Sequence, residues 1–141
     1  MKSFRRLSKQ FLGLAYYMNL IQGQYVLINY GYSVPAVLNN GEEAVKKSEE
    51  VKPDLVLMDI NLKGSIDGVK AAEIIQHRLK IPVIYLTAYS DHETLKRATK
   101  TNPYGYIPKP IDSMELHTLV VLTLNSDKMN KTVEMEFESQ V

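Results

Sequence analysis

From residue 33 onward, short apolar runs alternate with stretches whose apolar positions recur at helical spacing. The run SVPAVL (33–38) predicts a strand, and Pro35, which has no N–H to give to a ladder, puts it at a sheet edge or a strand start. In NNGEEAVKKSEEV (39–51) turn residues give way to good helix formers, with Ala44, Val45, Ser48 and Val51 on one face. The runs DLVLM (54–58) and IPVIYLTA (81–88) are too continuously apolar to have a wet face, as strands covered on both sides are. Between them NLKGSIDG (61–68) is a loop marked by two glycines, and VKAAEIIQHRL (69–79) a helix with Val69, Ala72, Ile75 and Leu79 inward. SDHETLKRATKT (90–101) predicts a mostly polar helix capped by Ser90 or Asp91, and YGYIPKP (104–110) a short strand ending in Lys between two prolines. DSMELHTLVVLTL (112–124) closes the pattern as a helix with Asp112 as N-cap and Glu115 completing a capping box.

Strand and helix alternating through short connections mean right-handed βαβ units and a parallel sheet with helices on both faces. Chemistry in such sheets sits at the carboxyl ends of the strands. Asp59 ends one predicted strand, Thr87 the next and Lys109 the last. A carboxylate, a hydroxyl and an ammonium therefore converge on one edge. An Asp at a strand end can merely cap a turn, and a strand Tyr such as Tyr106 can be simple packing; the three ends taken together favour a site.

A chain of 141 residues with 45% hydrophobic content and net charge +1 is sized and composed as one soluble globular domain. Nothing global points to nucleic acid as a partner. With no cysteine there is neither a disulfide framework nor a thiolate metal site, which fits a cytoplasmic location. Residues 1–41 carry Lys2, Arg5, Arg6 and Lys9 but no acid; the first is Glu42. The apolar FLGLAYYMNLI (11–21) is too short to span a bilayer and no small-residue cleavage site follows, so it reads as a first structural unit, with no membrane partner expected.

DLVLMDINLKGSIDG, PVIYLTA and GYIPKP, in that order and spacing, make the chain resemble the receiver domain of two-component response regulators from about residue 31 to 124. The resemblance implies a flavodoxin-like, doubly wound parallel sheet of five strands with helices on both faces. Residues 1–125 form a single receiver domain in this reading, with 1–30 an atypical first β/α unit and 126–141 a tail or linker stub. It further implies that Asp59 accepts a phosphoryl group from a sensor histidine kinase or phosphotransfer protein, making the chain a signalling phosphoacceptor and not a conventional enzyme. Thr87, Lys109 and the backbone N–H groups of Asn61 and Ala88 would contact the phosphoryl group, and Asp59 with the Asn61 carbonyl would be magnesium ligands. Tyr106 matches the family's switch aromatic, and the bond to Pro110 one that is usually cis. The surface over 90–124 would change on phosphorylation and is where a homodimer would form.

The family's acidic pair at the end of the first strand is missing. Counting back from Gly31, it falls near Leu14 and Ala15, which cannot ligate a hard cation. The first strand is expected within LSKQFLGL (7–14) and a poor first helix in residues 15–30, where Gly23 costs about 1 kcal/mol. QYVLINY (24–30) is not that strand, because no room remains for a crossover helix before residue 33. Three readings follow: a degenerate receiver with weak or no magnesium, another acid approaching in space such as Asp54 or Asp67, or an altered start to an ordinary receiver. His77, His92 and His117 share no metal spacing. No output module follows the receiver match, so the chain is expected to act alone or to be a fragment. Two functions stand side by side, the phosphoacceptor and a pseudo-receiver that binds partners without phosphorylation. A phosphatase or nucleotide enzyme lacks its Gly-rich loop or cysteine.

Overall fold

Apolar strands with no polar side must be covered above and below, and the topology does this. The computed structural model describes residues 10–14, 25–62, 64–88 and 92–140. Its strands are β1 (Gln10–Leu14), β2 (Ser33–Leu38), β3 (Leu55–Asp59), β4 (Val83–Thr87) and β5 (Gly105–Pro108). They form one five-stranded sheet in the order β2-β1-β3-β4-β5, with every neighbouring pair parallel. The helices are α1 (helical residues 25–29), α2 (Gly41–Val51), α3 (Gly68–Leu79), α4 (His92–Thr99) and α5 (Ser113–Gln140). This is the doubly wound flavodoxin-like arrangement that the sequence predicts. β2 lies at the edge as Pro35 requires, and β1 falls inside residues 7–14.

The two faces follow from the period of two along each strand. Leu55 and Leu57 of β3 and Ile84 and Leu86 of β4 pack with Leu27 of α1 and Leu116 and Val120 of α5. Val56, Met58, Val83 and Tyr85 point the other way, onto Ala44 of α2, Ala72 and Ile75 of α3 and Ala98 of α4. Residues 25–29 are helical, so QYVLINY is not a strand. The helix closes on Gly31, whose φ of 90° permits the Gly31 N–H to reach the Ile28 carbonyl at 2.9 Å and the Tyr32 N–H to reach that of Leu27 at 3.0 Å. Asn40, Asp67 and Asp112 each accept from a backbone N–H three residues on, at 2.9 Å, and so start α2, α3 and α5. The predicted caps Ser90 and Asp91 lie outside the described residues.

One expectation is corrected. The last helix does not end at 124 but runs on to Gln140, through the stretch expected to be a tail or linker. Residues 125–140 hold no Gly or Pro and are rich in Met, Lys and Glu, so propensity sustains the helix where no core stripe does. Burial changes along this helix. Val120 and Thr123 are buried, whereas Met129, Val133, Met135 and Phe137 are exposed.

This division sets the stability pattern. Leu57→Ala is expected to cost about 2–5 kcal/mol, because Leu57 has no exposed surface. Met135→Ala should stay within about 0.5 kcal/mol. Urea unfolding midpoints of the two variants check both.

Candidate functional site

The parallel register brings the predicted residues together. Asp59 is paired with Leu86 across β3 and β4, and Thr87 with Pro108 across β4 and β5, so three strand ends lie side by side. The ladder continues beyond β5, where the Lys109 N–H donates to the Thr87 carbonyl at 2.9 Å. Asp59 and Thr87 are buried at 2% and 1% exposure. The Lys109 ammonium donates to Asp59 Oδ2 at 2.6 Å, and the Asn61 N–H donates to Oδ1 at 2.9 Å. Each carboxylate oxygen therefore has a donor, which is what lets a charge survive at the end of an apolar strand. Ala88 follows Thr87 directly and is exposed, and the Lys109–Pro110 bond is cis as expected.

Tyr106 is half-buried on β5. Its hydroxyl lies 3.0 Å from Thr99 Oγ1 of α4, and its ring stacks on that of Tyr85, with centroids 5.9 Å apart. The Tyr85 hydroxyl lies 2.9 Å from Thr101 Oγ1. Burial pushes the Tyr85 phenol up to about 12.

Neither alternative acid reaches Asp59 as a partner. Asp54 precedes β3 at its opposite end, roughly 16 Å away along an extended strand. Asp67 caps α3 and pairs with Arg97 of α4 at 2.7 Å. Burial opposes its ionisation, but the Arg97 hydrogen bond and charge, with the Lys70 N–H, hold its carboxyl below the usual range. Among the described residues no histidine belongs to a group of three or more candidate metal ligands, and His117 stacks on Tyr30 with ring centroids 3.7 Å apart.

One acid at this edge was not singled out from the sequence. Glu42, in the first turn of α2, accepts from the Ser65 hydroxyl and, at 2.6 Å, from the Ile66 N–H in the loop between β3 and α3. The signal available was positional: Glu42 opens the helix that follows β2, at the same carboxyl edge as Asp59.

A family model described as the response regulator receiver domain matches residues 18–121. This chain belongs to that family. The regulatory protein AtoC of Escherichia coli K12 is 38% identical over 96 residues, which cover 67% of this chain and 21% of AtoC. The transcriptional regulatory protein PdtaR of Mycobacterium tuberculosis H37Rv is 33% identical over 95 residues, 67% of this chain and 46% of PdtaR. The chain thus spans less than half the length of these curated relatives. The signal receiver domain of a modulated diguanylate cyclase from Desulfovibrio desulfuricans G20 has a TM-score of 0.83 at 33% identity, over 86% of this chain and 97% of that one. The receiver domain of the sensor histidine kinase PA1611 from Pseudomonas aeruginosa PAO1 shares the fold, with a TM-score of 0.74 at 24% identity over 84% of this chain and 98% of the other. That structure has magnesium coordinated in its active site cleft.

In this receiver the described donors do not fit a magnesium ion. Among the described residues, Asp59 is the carboxylate at the strand ends, and it already binds Lys109 and the Asn61 N–H. Among the described residues no group of three or more His, Cys, Asp or Glu could hold a metal. No helix of the described residues is long and apolar enough to cross a membrane.

The tyrosine pair gives a pH prediction. A tyrosine in the unfolded chain ionises near 10.0 and Tyr85 in the folded protein at about 12. The folded state keeps its proton longer, so this stabilisation is full below pH 10 and declines as pH rises towards 12. In a melting series across that window, Tyr85→Phe should show a shallower decline than the wild type.

Proposed function

We propose that this receiver is a phosphoacceptor in a two-component phosphorelay, taking a phosphoryl group on Asp59 from a phosphohistidine of a sensor kinase or phosphotransfer protein. The observation that carries the reading is the buried Asp59 carboxylate with the Lys109 ammonium at 2.6 Å and Thr87 at the adjoining strand end. Attack by a carboxylate oxygen on phosphorus forms the acyl phosphate and releases the neutral imidazole of the donor histidine. The protein's part is positioning and charge neutralisation, since phosphoryl transfer asks for little covalent chemistry from it. Lys109 is a compact cation suited to one phosphoryl oxygen. The Thr87 hydroxyl and the N–H groups of Asn61 and Ala88 would take others. Drawing Thr87 towards the phosphoryl group opens space beside it for Tyr106, which would give up its Thr99 contact and alter the face formed by α4, β5 and the first part of α5. That face is the proposed site of partner binding or of a homodimer. The chemistry is stoichiometric signalling in an intracellular aqueous compartment. PdtaR is named a transcriptional regulatory protein, so the exclusion of nucleic acid drawn from composition does not extend to the assembly this receiver serves.

A second reading has its own observation. No acid precedes Glu42, and Lys109 already neutralises Asp59, as suits a pseudo-receiver that binds its partner regardless of phosphorylation.

Incubation with acetyl phosphate, with and without Mg²⁺, followed by intact mass, separates the two. The phosphoacceptor gains one phosphoryl group per chain, and Asp59→Ala abolishes the gain. Lys109→Ala is expected to slow it roughly 100-fold by removing a charge-assisted contact made at the transferring group. A wild-type chain with no gain under either condition leaves the pseudo-receiver reading.

A further inference from the structure

The loop between β3 and α3 carries Asn61, whose N–H meets Asp59, and its conformation is fixed from outside. Within the loop, the Leu62 N–H donates to the Asp59 carbonyl at 3.1 Å and the Gly68 N–H to the Leu62 carbonyl at 3.0 Å. Those bonds tie the two ends of the loop, and its outer limb, 64–66, reaches out to a neighbouring element. That element belongs to the neighbouring β/α unit. The Glu42 carboxylate, 23 and 24 residues away in sequence, accepts from the Ser65 hydroxyl and the Ile66 N–H. The fit around this contact leaves no slack. A Cβ on Gly41 would lie 2.6 Å from the Ile66 carbonyl oxygen, and one on Gly68 2.4 Å from that of Asp59. Gly64 has φ +151°, and a Cβ there would sit 3.0 Å from Glu42 Oε2. The Ser65 and Ile66 hydrogen bonds also hold the Glu42 carboxyl below the usual carboxylate range.

We propose that Glu42 is a positioning residue: its carboxylate clamps the loop between β3 and α3 and thereby holds the Asn61 N–H at the Asp59 carboxylate. The consequence for phosphoryl acceptance rests on the phosphoacceptor reading; the clamp itself does not. A donor set in place before transfer costs no reorganisation during it. A loop free to swing would pay that cost at each event. Glu42 touches neither Asp59 nor the transferring group, so its effect is on rate through Asn61.

The experiment uses the full chain as wild type, Glu42→Ala, Glu42→Gln and Ser65→Ala. Amide hydrogen exchange is followed by NMR at Asn61 and Ile66, and phosphorylation by acetyl phosphate as a function of donor concentration. In Glu42→Ala, exchange at both amides is expected to rise roughly tenfold or more, the scale of losing a hydrogen bond to a charged acceptor. The maximal phosphorylation rate should fall about tenfold with the half-saturating donor concentration unchanged. Glu42→Gln, which keeps an acceptor oxygen for the Ile66 N–H, should recover most of both, and Ser65→Ala should fall between. Unchanged Asn61 exchange in Glu42→Ala overturns the clamp. A wild type that takes no phosphoryl group overturns the phosphoacceptor reading instead, while the Asn61 amide still decides whether Glu42 holds the loop.

Discussion

A negative charge sits at the end of a strand none of whose residues is more than a few per cent exposed, and the site is organised around keeping it there. Asp59 is tolerated because Lys109 and the Asn61 N–H each take one of its oxygens, at 2.6 and 2.9 Å. Removing either partner leaves a buried charge short of compensation, which is why such pairs are costly to break though they add little net stability. The pairing depends in turn on the sheet. Lys109 reaches Asp59 only because β4 lies between β3 and β5 and the ladder carries on from Thr87 to Lys109. Packing of both sheet faces is therefore the condition for the chemistry at its edge.

How much of this was legible follows from what each feature depends on. β3 and β4 were readable because a strand buried on both faces must be apolar throughout, and five buried residues in a row leave that mark. Asp59, Thr87 and Lys109 were readable because parallel topology puts all strand exits on one edge, so position along the chain becomes position in space. Asp54 and Asp67, already poorly placed by the fold that the sequence implies, fail on place, one at the wrong end of β3 and the other committed to a cap and Arg97. The length of α5 was hidden for a different reason. Periodicity reports an apolar face turned to a core, whereas beyond Leu124 the helix meets the domain through polar groups, Asp127 and Asn130 hydrogen-bonding the Tyr104 hydroxyl. Glu42 was hidden because its partners lie 23 and 24 residues away and no local pattern encodes a loop reaching back to a helix start.

The two faces of the sheet serve different ends. On the side of α1 and α5 the contacts are aliphatic, with Leu27, Leu116 and Val120 closing over Leu55, Leu57, Ile84 and Leu86. On the other side, hydroxyl groups run through the packing: Tyr85 to Thr101, Thr99 to Tyr106, with the two tyrosine rings stacked. Hydrogen bonds of this kind exchange partners at small net cost, whereas an aliphatic interface loses contact area when it moves. α4 is accordingly the element suited to shift. It is short, only Ala98 on it is buried, and polar contacts tie it to its neighbours through Arg97 to Asp67 and Thr99 to Tyr106.

In the proposed phosphoacceptor, the charge balance at Asp59 makes loop geometry matter. A phosphoryl group carries about 1.5 to 2 negative charges near neutral pH where the carboxylate carried one. Lys109 is a single positive charge, and Arg97 of α4 is engaged by Asp67. With no carboxylate cluster among the described residues, the added charge in the proposed phosphoacceptor would fall to neutral donors: the Thr87 hydroxyl and the N–H groups of Asn61 and Ala88. Dipoles stabilise charge only when aimed at it, and their effect falls off with angle and distance far faster than that of an ion. An ammonium can follow a moving oxygen on a flexible stem; a backbone N–H is only as well placed as the loop that carries it. The fewer the cations, the more the stabilisation depends on how firmly Asn61 is held, and that is the part proposed for the Glu42 contacts to Ser65 and Ile66.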